Sequence, residues 1–244
     1  MREGATRAGA GAGAMVLTVA SFKDVVQGFR THKEEHAAGE GEPQPQDGDA
    51  VLSDEDVTAL CAKYPALEVA FVEHVVVVRK ARRAEVEEQL DAFVRFREEN
   101  AWPMRLSDAD IHPGVLASAA HACARCPRSG LPLLVIRYSQ VDVAVASARD
   151  FQQHGQLMIE RLTREDREAQ VGGIALELDF RGASFGILSS LNAEDLRRGL
   201  GIFRSYPVKV KKVYVSNASL LIRTAIKAVL LVASKNVRSK VEIV

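Results

Sequence analysis

The stretch "RSYPVKVKKVYVSNASLLIRTAIKAVLL", residues 204–231, decides the fold. Its middle, "KKVYVS" (211–216), is a short run dominated by β-branched and aromatic residues, and it stops at Asn217, a turn former. "ASLLIRTAIKAVLLVA" (218–233) has helix length, and the chain then reaches another apolar run, "KVEIV" (240–244). Strand, helix and strand in that order predict a parallel pair joined by a crossover. Two earlier runs extend the pattern backwards. "LPLLVIRY" (131–138) and "GGIALELDF" (172–180) are rich in large apolar residues and alternate with helix-length segments over 147–170 and 192–205. The expectation is an α/β layer domain with a mostly parallel sheet and crossover helices.

The same stretch concentrates charge of one sign. Lysine plus arginine (32) equals aspartate plus glutamate (32) over the 244 residues, which argues against a general nucleic-acid binder. From Leu196 to Val241, however, there are eleven basic residues and no acidic one, so residues 196–244 carry +10 and residues 1–195 carry −10. The helix at 218–233 holds Leu220, Leu221, Ile222, Ile226, Val229, Leu230 and Val232, with only Arg223 and Lys227 charged, four apart on one stripe. Two readings fit: a buried crossover helix with a thin solvated edge, or a lid that touches membrane with its basic edge toward anionic headgroups.

Upstream, "AAGEGEPQPQDGDA" (37–50) has no apolar residue larger than alanine and reads as an acidic linker, so residues 1–50 are expected to be a disordered leader and linker. "LSDEDVTAL" (52–60) reads as a helix start, with Ser53 as cap and Asp56 three residues on. In "RAEVEEQLDAFVRFREEN" (83–100), Val86, Leu90, Phe93 and Val94 keep a 3.6-residue period. A helical N-terminal module over 51–126, followed by an α/β domain over 127–244, is the expected organisation. Three cysteines suggest reduced thiols in the cytoplasm, and no apolar run approaches the ~20 residues of a spanning helix.

Motifs for chemistry are incomplete. "RGASFG" (181–186) has Gly182, Ser184 and Gly186 in nucleophile-elbow spacing, yet all six histidines precede Ser184, the wrong order for such a hydrolase. A Gly-Ser turn leaving a strand is the other reading. "HACARC" (121–126) spaces Cys123 and Cys126 as a zinc or redox pair would, but no second pair completes it, and small buried thiols are the alternative. Neither "GLG" (199–201) nor "GG" (172–173) completes a nucleotide fingerprint. The sequence predicts a protein that is not an enzyme, with no cofactor, no metal and no nucleic acid.

Taken in order, four segments resemble the CRAL-TRIO lipid-binding family, of the phosphatidylinositol-exchange, tocopherol-transfer and retinaldehyde-binding type. "VVVVRKARRAEVEEQLDAFVRFREEN" (75–100) looks like its helical N-terminal module, and "RSGLPLLVIRY" (128–138) resembles the turn into its first strand. "ALELDFRGASF" (175–185) looks like its strand-Asp-x-x-Gly-x-Ser turn, which gives Ser184 a non-catalytic place. Residues 203–244 resemble its Y-P strand, Asn turn, gate helix and last parallel strand.

The resemblance implies a gate helix over a hydrophobic pocket that encloses one lipid ligand, in a cytoplasmic protein peripherally associated with membranes. Tyr214, Leu220, Leu221, Ile226, Val229 and Leu230 would bind the ligand. Lys209, Lys211, Lys212 and Lys240 would form a basic rim for the anionic membrane surface, phosphoinositides included, each lysine contributing ~1 kcal/mol. Three departures qualify it. Val208 replaces the glutamate of phosphatidylinositol-exchanging members, Asn236 replaces a rim lysine, and Leu230-Leu231 replaces the Lys-Pro that breaks the gate helix. The chain stops at Val244, where the family continues for several dozen residues, so an open or incomplete pocket is expected. The resulting function is binding and transfer of a small hydrophobic lipid; the alternative is a phosphoinositide-recruited membrane adaptor with a vestigial pocket.

Overall fold

Ser53 sets the first described helix: its hydroxyl accepts from the Asp56 N–H at 3.3 Å, while the Asp56 carboxylate accepts from the Ser53 N–H at 3.0 Å. The computed structural model describes residues 52–244 except 81, 141, 143, 184–192 and 233–234, and except the side chains at 193, 196, 225, 228, 229 and 232. The expectations for residues 1–50 and for Ser184 lie outside the described residues.

Helices α1 (Asp54–Lys63), α2 (Val69–Val78) and α3 (Arg83–Glu99) form the front half, as the sequence predicts. On α3 the residues Val86, Leu90 and Phe93 are buried and Val94 is half-buried. Arg97 continues this stripe and is 0% exposed. It donates to Glu160 and lies over the rings of Phe93 and Trp102, 4.8 and 5.8 Å from their centroids. A one-turn helix, α4 (Pro113–Leu116), then leads into the sheet.

The sheet has five strands in the order β1 (His121–Arg125), β2 (Pro132–Arg137), β3 (Ile174–Asp179), β4 (Val210–Ser216) and β5 (Val241–Ile243). β1 is antiparallel to β2, and the remaining pairs are parallel. Spatial order equals chain order, so right-handed crossovers place every connecting helix on one face. The crossovers are α5 (Ala148–Glu165) with α6 (Arg167–Gly172), α7 (Ala193–Ser205), and α8 (Leu220–Val232) with α9 (Lys235–Lys240). Register partners Leu134, Leu176 and Val213 share that face. The main core packs Leu134, Ile174 and Leu176 against Ile159 of α5 and against Leu60, Val75, Leu90 and Phe93 of the front helices.

β1 is a strand that sequence patterning missed. It lies within the stretch assigned to the helical module, and its hairpin with β2 spans the boundary expected at residue 127. Strand alternation also separates the two thiols of "HACARC": Cys126 is buried with Leu133, Val135 and Tyr214, whereas Cys123 pairs in register with Leu134 and is exposed. Buried thiols are therefore right for Cys126 and wrong for Cys123. Among the described residues no group of three or more His, Cys, Asp or Glu is arranged to hold a metal ion.

Gly173 joins α6 to β3 with φ at +89°, and a Cβ there would collide with the backbone carbonyl of Lys209, which accepts from the Ile174 N–H at 2.8 Å. Gly173→Ala is expected to cost about 1–3 kcal/mol of stability, read as a lower urea midpoint. An unchanged midpoint would show that the turn relaxes freely.

Candidate functional site

β4 and α8 organise the region that the sequence analysis singled out. Asn217 turns the chain at the end of β4 with φ at +55°, and its side-chain amide donates to Asp179 Oδ1 at 2.8 Å. Asp179 also accepts from the Arg181 N–H at 2.9 Å, so one carboxylate joins the carboxyl ends of β3 and β4. The next residues enter α8, where the Ile222 N–H is capped by Ser219 Oγ at 3.4 Å.

α8 lies directly on the sheet. Ile222 is buried with Phe180, Val215 and Ala218, and Ile226 packs against the same group together with Val241 and Ile243 of β5. Leu230 is half-buried. The opposite side of the helix carries Leu220 (82% exposed), Leu221 (59%) and Leu231 (77%). Leu220 and Leu221, expected toward a ligand, thus face solvent rather than the sheet, because the 3.6-residue period that buries Ile222 and Ile226 turns them outward. The side chain of Val229 lies outside the described residues. Arg223 does not share the outer edge with exposed Lys227: its Nε donates to Ala218 O at 2.9 Å and its Nη2 to Val244 O at 3.1 Å.

Tyr214 is on the other face. Its neighbours Val213 and Val215 point toward the helices, so alternation sends the tyrosine ring to Cys126, Val135 and the Arg128 guanidinium, 5.2 Å from its centroid. Tyr214 and the α8 residues are not brought together by this structure.

The basic residues also separate. Ala175 pairs with Lys212, which places Lys212 on the Tyr214 face. Lys240 precedes β5, next to the Val213–Val241 pair, and is half-buried. Lys209 and Lys211 are exposed and gain two partners that the sequence reading missed, Arg79 and Lys80 at the α2–α3 turn. Two contacts hold that turn close: His74 Nε2 lies 3.0 Å from Pro207 O, and Gln89 Nε2 donates to Ser205 O. Partial burial, then the charges of Lys211, Lys80 and Arg79, hold the Lys209 ammonium below the usual lysine range. None of these four cations has a carboxylate within ion-pair distance among the described residues. They sit at the start of β4, about 20 Å of strand from Leu220 and Leu221. α8 runs back along the strand and brings Leu231 and the half-exposed Val237 of α9 toward the basic end.

A family model of the CRAL/TRIO domain matches residues 127–244, from the β1–β2 turn through β5. Residues 127–244 are a CRAL/TRIO domain. In this family of lipid-binding domains, the parallel strands β2–β5 and the α8 crossover are the matched part, and α1–α3 pack against it. No curated protein matches the sequence. Among solved structures the chain is similar to one described as "Crystal structure of Sfh5", at 12% identity and a TM-score of 0.45, covering 92% of this chain and 80% of that one. No described helix of the CRAL/TRIO protein is long and apolar enough to cross a membrane.

Proposed function

We propose that this CRAL/TRIO protein is a non-enzymatic carrier that binds one small hydrophobic lipid beneath α8 and exchanges it at anionic membranes, where phosphoinositides meet the basic residues. The observation that carries this reading is the end of α8: Leu231 stands 77% exposed beside exposed Lys227 and Lys235. An apolar side chain in water flanked by cations matches an interface whose lower layer is acyl chain and whose upper layer is phosphate. Native mass spectrometry of the purified protein, followed by organic extraction, tests it; one stoichiometric apolar ligand is expected.

A second reading has its own support. Ile222 and Ile226 contact β4 and β5 directly, which suits a membrane-recruited adaptor whose pocket is vestigial. A clean apo mass together with retained vesicle binding would favour the adaptor.

Either reading predicts that Lys209→Glu with Lys211→Glu weakens binding to phosphatidylserine vesicles by more than about tenfold and flattens its salt dependence. Lys80→Glu is expected to act in the same direction. Flotation at two salt concentrations measures this, and wild-type binding by the double variant would remove the basic residues from the docking surface.

A further inference from the structure

The helical front half exposes apolar side chains at the same basic end of the sheet. On α2 the residues Val72, Val75 and Val78 are buried, and the helical period turns Val77 outward, 41% exposed, in the last turn before Arg79 and Lys80. On α6, Ala169 is buried in the main core and Val171 is 52% exposed. Val171 lies two residues before Gly173, whose Cα comes against the backbone of Lys209, so this valine stands near the start of β4. Lys209 in turn lies within the field of Lys211, Lys80 and Arg79. We infer that the last turns of α2 and α6 form a second membrane-contacting surface, with Val77 and Val171 entering the headgroup layer of an anionic bilayer around Lys80, Lys209 and Lys211. This inference rests on the membrane-docking reading above and extends it from α8 to the helical front half.

The backbone of Lys80 is an independent observation. It leaves α2 with φ at +54°, the left-handed position at a helix end where glycine or asparagine is the usual occupant and a long side chain is strained. Its N–H closes the turn on Val77 O at 3.2 Å, which holds the lysine beside the exposed valine. A cation kept where glycine would serve the fold better points to a charge that is used.

The pattern favours a bilayer over an acidic protein. Val77 and Val171 sit on different helices, and exposed Leu231 and Lys227 lie at the same end on α8. A fluid surface meets separate apolar points and cations together without shape complementarity, its acyl layer taking the valines and its phosphates the lysines. Glu73, one turn earlier on the exposed side of α2, bounds the patch.

Tryptophan scanning of the full-length protein on phosphatidylserine vesicles containing brominated lipid tests the surface. The native Trp102 is buried, so its emission is a constant background. Val77→Trp and Val171→Trp are expected to be quenched on binding, and Leu221→Trp, at the opposite end of β4, is expected to stay unquenched. Lys80→Gly should weaken vesicle binding roughly fivefold while the urea midpoint holds or rises, a combination that a purely structural lysine would not give. Quenching of Leu231→Trp without quenching at positions 77 and 171 would overturn this inference and leave the docking reading standing. Wild-type binding by Lys80→Gly, or quenching of Leu221→Trp, would also overturn it. A wild-type protein that ignores these vesicles would overturn both and leave an acidic protein as the occupant.

Discussion

Glu160→Ala is expected to destabilise the protein by about 3–5 kcal/mol, the cost of leaving a buried charge without its partner. Arg97 is 0% exposed, and Glu160 is the one carboxylate that accepts a hydrogen bond from it among the described residues. Its Nε and Nη1 have no acceptor among the described residues, so removal of Glu160 strands the whole guanidinium between Phe93 and Trp102. Burial raises the Glu160 pKa, with Arg97 drawing it back, and burial lowers that of Arg97, with Glu160 drawing it back. Desolvation outweighs attraction for both groups, so the pair is costly to split and not itself a large source of stability. The double variant Arg97→Met with Glu160→Met is therefore expected to lose much less than Glu160→Ala alone, although Gln156 forfeits its acceptor. Urea unfolding of both variants measures the difference. Equal losses would mean that the pair contributes as packing volume and not as charge.

Acid is expected to loosen the protein well before its carboxylates are neutralised. His121 on β1 and His154 on α5 meet with Nδ1 atoms 3.1 Å apart, one donating to the other, and His121 also faces the Phe151 ring at 4.4 Å. Burial, then the neighbouring His154, pushes the pKa of His121 down from 6.5 to about 3. Burial, then Arg161, lowers that of His154, with Asp108 opposing. Because the folded values lie below the unfolded value, the unfolded chain takes up the protons first. Stability from this pair is complete above the unfolded value of about 6.5 and is lost as pH falls toward the folded value. At a pH of about 4.5 the loss from His121 alone is roughly 3 kcal/mol, at about 1.4 kcal/mol for each unit crossed. Comparing the urea midpoint of the wild type with that of His121→Phe combined with His154→Phe isolates the effect, since the carboxylates are common to both. Parallel pH curves would show that the two rings are not neutral in the folded state.

Much of the architecture was legible because it rests on local signals. The capping pairs Ser53–Asp56 and Ser147–Asp150 mark helix starts, and the apolar runs at 131–138, 172–180 and 211–216 are long enough to identify as buried strands. β1 escaped because an edge strand buried mainly at His121 carries alanine, cysteine and arginine in place of an apolar alternation. Arg97 escaped because a charge at the end of an amphipathic helix ordinarily marks the solvated side. At the candidate site, residue types were readable but directions were not. Tyr214 sits one residue from Val213 and Val215, so its face depends on which side of the sheet the helices occupy. Arg79 and Lys80 join Lys209 only through contacts far apart in sequence, such as His74 with Pro207.

The shared core around Phe93, Leu134 and Ile159 makes the helical front and the family-matched residues one folding unit. Cutting before residue 127 would remove β1 from its ladder and uncover Leu134, Ile174 and Leu176 at once. Unfolding should accordingly proceed as a single cooperative transition, with amide protons of α3 and β3 exchanging at the same global rate, and the fragment 127–244 alone should collapse without a fixed interior.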